Sequence, residues 1–548
     1  MVDVSGHGGA HAVAVARAHG VQTMFTLSGG HVFPLYDGAV TADPPMRLLD
    51  VRHEQTAVFA AEATGKLSRR PGLAVITAGP GVTNGVSAIA TAHFNGSPVV
   101  VLGGRAPDYR WGAGLLQELD QPPLVQTITK RAGTVHAVDK ISAAVDDAFG
   151  LAGSPHRGPV FLDVPMDHLF NTGDGAYDPA AREPVPPDPD AVDAIARLLA
   201  GAERPVLVLG SDVWLDGAEA AARAAAEELG LPVVANGQGR GVLPPRHPLL
   251  VTRARKPAFG ESDLVIVVGT PLDFRIGFGE FGGADGADKA RVVHVMDAPD
   301  QTATHVATAA SVGGDLTAFF TGLVDSAARH GVGVDAAWRT RLADTAAAAI
   351  AGDAEVLGAD SDPIHPGRVY GELLPMLDDD AVVIGDGGDF VSYAGKYVEP
   401  AHAGNWLDPG PYGCLGTGLG YAIAARIERP SSQVVLLLGD GAAGFSLMDV
   451  DTLVRHNLPV VMICGNNGIW GLEKHPMRFV YGYDAAADLR PGTRYDEVVK
   501  ALGGAGELVT DPADLAPALR RAFDSGVPYL VNVVTDPTNA YPRSTTGI

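Results

Sequence analysis

The sequence predicts an α/β protein made of three consecutive doubly wound domains. Three observations carry that prediction. Short apolar runs lack the two-residue alternation of a half-exposed strand, Ala-rich helical stretches separate them, and two polar linkers divide the chain into thirds. Runs of this kind read as parallel strands buried on both faces by the helices that connect them.

The first third runs through VQTMFTLSGG, MRLLDVRHE, the helical QTAVFAAEATGKLSRR, GLAVITAGPG, the helical VTNGVSAIATAHFNG, PVVVLGG and GPVFLDVP. Glycines crowd the strand ends at Gly29-Gly30, Gly79-Pro80-Gly81 and Gly103-Gly104, where an open parallel sheet places its ligand crevice. The Pro- and Asp-rich stretch NTGDGAYDPAAREPVPPDPD has no apolar period and reads as a linker, so the first domain is expected over residues 1–172. RPVLVLGS, AEAAARAAAEELG, LPVVANG, SDLVIVVG and ARVVHVMD then repeat the scheme over 190–330. The helical AAWRTRLADTAAAAIAGDAEVLG leads to a second linker, ADSDPIHPG. A third unit over 365–548 follows, with AVVIGDGGDF, the helical GCLGTGLGYAIAARI, QVVLLLGDG, LPVVMICGNNGIW and VPYLVNVVTD.

Composition agrees with this reading. A chain of 548 residues exceeds one ordinary core, and roughly 100–200 residues per domain implies about three. With 46% hydrophobic and 19% charged residues, disordered and fibrous classes are excluded. Two cysteines, Cys414 and Cys464, make neither a disulfide framework nor a metal cluster and suit a reducing compartment. The N-terminus has no basic segment followed by an apolar run, and no stretch approaches the ~18 apolar residues of a membrane span. A cytoplasmic protein without membrane partners is expected. The net charge of −24 opposes nucleic acid, so a polyanionic ligand requires a local basic patch.

The most specific chemical signal is Gly439-Asp440-Gly441 after the strand QVVLLL, followed 27 positions after the aspartate by Asn467 at the end of the next strand. Alone, a GDG triplet is a common turn. Together, adjacent strands present a carboxylate and a carboxamide at one sheet edge, and such oxygen ligands suit Mg²⁺ holding a diphosphate. Glycine beside the aspartate lets backbone N–H groups approach a phosphate.

On these residues the chain resembles thiamine-diphosphate enzymes of the acetolactate synthase and decarboxylase type, over essentially its whole length. The resemblance implies a pyrimidine-binding first domain, a related middle domain and a diphosphate-binding last domain. It implies Mg²⁺ held by Asp440, the Asn467 side chain and the Ile469 carbonyl, with Gly388, Gly441 and Ala442 beside the cofactor and Leu415 beneath it. Glu54, in LLDVRHEQTAVFAAEATG, matches the glutamate that hydrogen-bonds the aminopyrimidine; read alone, it is a helix N-terminal carboxylate stabilised by the macrodipole. The family builds each site between two subunits, so a homodimer or homotetramer is implied.

Within the family, GQGRGVLPPRHPLLVTRARKPAFGESDLVIVVGTPLDFRIGFG is similar to 2-hydroxyacyl-CoA lyases and oxalyl-CoA decarboxylases, and GDGAAGFSLMDVDTLVRHNLPVVMICGNNGIW agrees. An acyl-CoA substrate is therefore expected, cleaved to formyl-CoA and an aldehyde or ketone. Arg240, Arg253, Arg255, Lys256 and Arg275 are the candidates for its phosphates, because Arg offers bidentate geometry. The same residues also read as a solvated basic face, or as a site for ADP or another adenine nucleotide. LSGGHVFPLYDG departs from the lyase pattern and puts His31 where the related benzaldehyde lyase has an active-site histidine. Glu473, six positions after Asn467, matches the catalytic glutamate of pyruvate-type decarboxylases and is expected in an enclosed pocket beside Trp470 and Leu472. Gln117 matches an active-site glutamine able to donate to an oxyanion. The alternative activities are 2-oxoacid decarboxylation or acetolactate-type ligation; a non-catalytic binding protein of this fold is the reading from another class.

Overall fold

The computed structural model describes residues 1–179, 184–286 and 288–541 and contains three parallel sheets. In the first domain the strands lie in the spatial order Arg47–Asp50, Thr23–Thr26, Gly72–Ile76, Val99–Arg105, Pro159–Pro165, Arg131–Thr134, all parallel. The last domain orders Trp406–Leu407, Val382–Asp386, Val434–Gly439, Val461–Asn466, Tyr529–Val534, Ala505–Val509. Counted along the chain, both sheets read second, first, third, fourth, sixth, fifth. The middle sheet has five strands, Val233–Ala235, Pro205–Leu209, Leu264–Val268, Arg291–Met296 and Ala310–Gly313. Each sheet reverses its winding between its first and third strands, which opens a crevice at their C-terminal ends.

The apolar runs of the sequence become the central strands, because burial on both faces requires side chains that need no water. Pro159–Pro165 and Leu264–Val268 are buried throughout. Arg131–Thr134 and Ala505–Val509 carry no such run; they are edge strands, half-buried and paired on one side only. A two-stranded antiparallel ribbon, Val2–His7 with Thr172–Tyr177, closes the first domain. Helix Ala336–Gly352, just before the second linker, packs on the middle sheet: Trp338, Leu342 and Ala346 enter its core, and the Trp338 indole donates to the Pro205 carbonyl at 3.1 Å.

One apolar core spans the first and last domains. Its centre is the contact of helix Glu54–Ser68 with helix Thr417–Glu428. Both are rich in Ala and Gly, so their backbones approach closely; a Cβ on Gly420 would lie 2.6 Å from the Phe59 Cβ and 3.0 Å from the Thr56 carbonyl oxygen. Phe59 meets Tyr421 edge-on at 6.1 Å. Asp449 ties the same seam, accepting from the Thr56 hydroxyl at 2.6 Å and the Arg52 N–H at 2.7 Å. The middle domain joins the others mainly through polar contacts, such as Arg69 with Glu219 and the Arg240 guanidinium with the Gly395 and Val398 carbonyls, with Ala403 of the last domain packed on its core. Among the described residues, no helix is long and apolar enough to cross a membrane.

Gly420→Val should force the two helices apart against a backbone carbonyl. A loss of about 1–3 kcal/mol in denaturant unfolding is expected, as for other overpacked cores.

Candidate active site

The crevice of the last sheet holds a cavity of about 460 Å³, lined by Gly388, Leu415, Asp440, Gly441, Ala442, Asn467, Ile469 and Glu473, with Arg275 from the middle domain. Asp440 begins the short helix Asp440–Ser446 where strand Val434–Gly439 ends. Its side chain is 3% exposed and accepts from the N–H groups of Gly441 at 3.0 Å and Gly468 at 2.7 Å. Burial pushes its carboxyl up to about 6, and those two N–H groups oppose the shift. The flanking glycine has a steric reason: a Cβ on Gly441 would sit 2.4 Å from the Trp470 ring. Gly468, at φ +70°, turns the chain after Asn467, whose side-chain oxygen accepts from the Ile469 N–H at 3.1 Å.

Carboxylate, carboxamide and carbonyl oxygens gathered here are hard ligands, and a desolvated carboxyl is the group a dication would stabilise. The residues therefore fit Mg²⁺ with a diphosphate. Leu415 is held by a device absent from the sequence reading. Asp386, fully buried at the end of strand Val382–Asp386, accepts from the N–H groups of Gly416 at 3.0 Å and Gly418 at 2.9 Å, fixing the turn that directly follows Leu415. Glu473 differs from expectation. It lies in the first turn of helix Gly471–Tyr481, at the rim of the cavity, and is exposed rather than enclosed, because no wall covers it among the described residues.

Glu54, His31 and Gln117 line a different wall, the crevice of the first sheet, and none of them lines the Asp440 cavity. Glu54 is 6% exposed; one of its oxygens accepts from the Asn84 amide at 3.0 Å, and the other faces Gly81. His31 Nδ1 lies 3.4 Å from the Thr77 hydroxyl, which in turn lies 3.5 Å from the Gln117 side-chain oxygen. Burial lowers the pKa of His31, against a hydrogen bond to the Leu116 backbone that raises it, and favours the neutral ring. Asn84 and Thr77 escaped the sequence reading although both flank the Gly79-Pro80-Gly81 turn: their partners are distant in sequence, and only folding brings them together.

The basic residues form a second cavity of about 460 Å³, which shares Asn236, Gly395, Trp406 and Asp408 with the first. Arg240, Arg253 and Arg255 line it, joined by Lys396 from the last domain. Arg253 pairs with Asp353 at 2.5 Å, and Lys396 pairs with the same carboxylate at 2.7 Å. Arg240 and Arg255 donate only to carbonyls among the described residues, Arg240 to Gly395 and Val398, Arg255 to Arg275. Desolvation lowers both guanidinium groups, Arg255 to about 10 with Arg240 and Arg275 beside it. Arg275 lines the first cavity, pinned by Asp273 at 2.7 Å. Lys256 is exposed and lines neither cavity.

Family comparison matches three consecutive segments: residues 7–124 to the thiamine pyrophosphate enzyme N-terminal TPP binding domain, 192–323 to the central domain and 386–533 to the C-terminal TPP binding domain. The chain is 50% identical over 532 residues to a probable acetolactate synthase of Mycobacterium bovis and to the acetolactate synthase large subunit IlvG of Mycobacterium tuberculosis, covering 96% of this chain and 95% of each relative. It is 34% identical over 546 residues to 2-hydroxyacyl-CoA lyase 2 of Mus musculus, covering 92% of this chain and 85% of that protein. With the three sheets and both crevices in place, the chain belongs to the thiamine pyrophosphate enzymes.

Proposed function

We propose that this enzyme cleaves the C1–C2 bond of 2-hydroxyacyl-CoA thioesters to formyl-CoA and an aldehyde or ketone, and forms the same bond in reverse. The observation that carries this reading is the basic cavity opening onto the Asp440 cavity. Two half-buried guanidinium groups there, Arg240 and Arg255, have no carboxylate within ion-pair distance among the described residues, with Asp408, Glu399 and Asp273 acting on them only from farther off, in a protein of net charge −24. Desolvated cations of this kind are compensated by an anionic ligand, and the phosphates of coenzyme A supply one while its thioester reaches the adjoining cavity. ADP or another adenine nucleotide is the competing occupant.

Bound thiamine diphosphate supplies a nucleophilic thiazolium carbon and an electron sink for the breaking bond. The chain's residues do the rest. Asp440, Asn467 and the Ile469 carbonyl would hold Mg²⁺, Gly388, Gly441 and Ala442 would leave room for the diphosphate, and Leu415 would pack against the cofactor. Glu54 would hydrogen-bond the aminopyrimidine ring. Glu473 would take the proton of the substrate 2-hydroxyl as the carbonyl product forms, and return one to the former thioester carbon before formyl-CoA leaves; His31 is the alternative group for that task. Gln117 donates to a developing oxyanion. Because Glu54 does not line the cavity of its own chain, a second copy supplies that wall, in a homodimer or a tetramer of such dimers.

A second reading, ligation of 2-oxoacids, is supported by the half-identical relatives named acetolactate synthase and by Arg275, which brings a guanidinium to the cavity wall. Mass spectrometry of products from 2-hydroxyacyl-CoA and 2-oxoacid panels separates the two. Formyl-CoA release is expected; acetolactate from pyruvate with inert thioesters overturns the lyase reading.

Asp440→Ala should weaken cofactor binding at limiting Mg²⁺ in calorimetric titration and leave substrate preference unchanged. Arg255→Ala should raise KM for a CoA thioester about 10–100-fold with a smaller change in kcat, the signature of a lost charged contact remote from the reacting bond. Added salt should mimic it in steady-state assays. Glu473→Gln should depress kcat by ~10²–10⁴-fold with cofactor affinity intact. Near-normal turnover in that variant, with His31→Ala crippled, moves the proton transfer to the histidine.

A further inference from the structure

The crevice of the middle sheet has a use of its own. At its C-terminal edge, strand Pro205–Leu209 ends and Asp212 follows; across the intervening strand Leu264–Val268, strand Arg291–Met296 ends and Asp297 follows. His156, from the loop before strand Pro159–Pro165 of the first domain, reaches down onto both carboxylates. Its Nδ1 lies 2.8 Å from an Asp297 oxygen and 3.8 Å from Asp212 Oδ2, and the three atoms all lie within 4.8 Å of one another.

Two further observations point to a ligand. Asp212 is only 4% exposed, yet the Oδ2 it aims at His156 accepts no hydrogen bond among the described residues. A buried carboxylate oxygen left without a hydrogen bond is costly unless a cation or proton meets it closely, and His156 Nδ1 stands 3.8 Å away. The local charges also fall one cation short. Arg157 binds Asp216 at 3.0 Å, balancing that carboxylate, and reaches the outer oxygen of Asp297 at 3.3 Å. Asp212 and Asp297 then surround a single imidazole. As a metal ligand that imidazole would give up its ring proton to the solvent, and two carboxylates with a neutral ring balance one dication.

We propose that His156, Asp212 and Asp297 bind one divalent transition-metal ion of the zinc or manganese class, at the joint between the first and middle domains. One imidazole nitrogen and two carboxylate oxygens suit such ions, whose bonds of roughly 2.0–2.2 Å fit among ligand atoms spaced as these are after small rotations of the carboxylates. The surroundings orient the ligands: Arg157 holds the far oxygen of Asp297, and the His156 ring packs against Gly96, where a Cβ would lie 2.6 Å from Nε2. Lys130 fixes the loop by donating to the Ser154 carbonyl at 2.8 Å. His156, one-fifth exposed, leaves a path for the ion. The ion locks the first domain onto the middle sheet and takes no part in turnover.

The test uses the full-length enzyme, stripped with chelator and dialysed against ZnCl₂ or MnCl₂ in separate samples. Elemental analysis should find about one ion per chain, and melting should shift upward by several degrees. Asp212→Asn should lose the ion and the shift, or bind at least ten-fold more weakly, while keeping its turnover at low temperature. Asp440→Ala should keep the ion, which separates this site from the proposed Mg²⁺ site. Wild-type protein that takes up no ion beyond background, or takes it up undiminished in Asp212→Asn, overturns the proposal, whatever the stability of the variants.

Discussion

The close approach of helices Glu54–Ser68 and Thr417–Glu428 is the constraint on which the rest of the molecule depends. It requires a bare Cα at Gly420 beneath Phe59 and small side chains on either side, and it merges the cores of the first and last domains into one. Both helices start at residues of the candidate sites. Glu54 opens the first, and the second follows Leu415 and Gly416, with Gln55 close to Gly416. Packing therefore sets the relative position of two crevices that share no lining residue among those assigned to the cofactor.

Around that seam, the same winding serves different ends. The first and last sheets have identical strand order, and each puts its polar residues at the C-terminal ends of the strands at and beside its winding reversal. In the last sheet this edge gathers carboxylate, carboxamide and carbonyl oxygens; in the first it gathers a carboxylate, an imidazole and amides. The backbone supplies the crevice in each case, and a few side chains at the strand ends decide its chemistry.

The middle domain is attached differently, mainly through ion pairs and half-buried arginines, with Ala403 of the last domain packed on its core. Its Arg240 reaches the carbonyls of Gly395 and Val398 in the last domain, and its Asp297 meets His156 of the first. Such contacts are directional, so they specify orientation where apolar packing alone would allow sliding. They also bring a field of positive charge to the mouth of the Asp440 cavity in an otherwise acidic protein.

Much of this was legible in the chain itself. Continuous apolar runs such as GLAVI and VVLLLG can only be strands buried on both faces, and the GDG and NN turns stand directly after two of them, so local sequence determined the class, the central strands and the Asp440–Asn467 pair. What depends on approach between distant segments was not legible. Asp386 beneath Leu415, Asn84 beside Glu54, Lys396 among the middle-domain arginines and Asp212 beneath His156 have no local signature, because each is an ordinary polar residue until a partner tens to hundreds of positions away reaches it. The exposure of Glu473 belongs with these: sequence put it near the cavity, but burial depends on which walls the fold brings around it. Periodicity and turn chemistry act over a few residues and so survive in the sequence, whereas desolvation and charge pairing are properties of the assembled interior, and only the tertiary structure decided them.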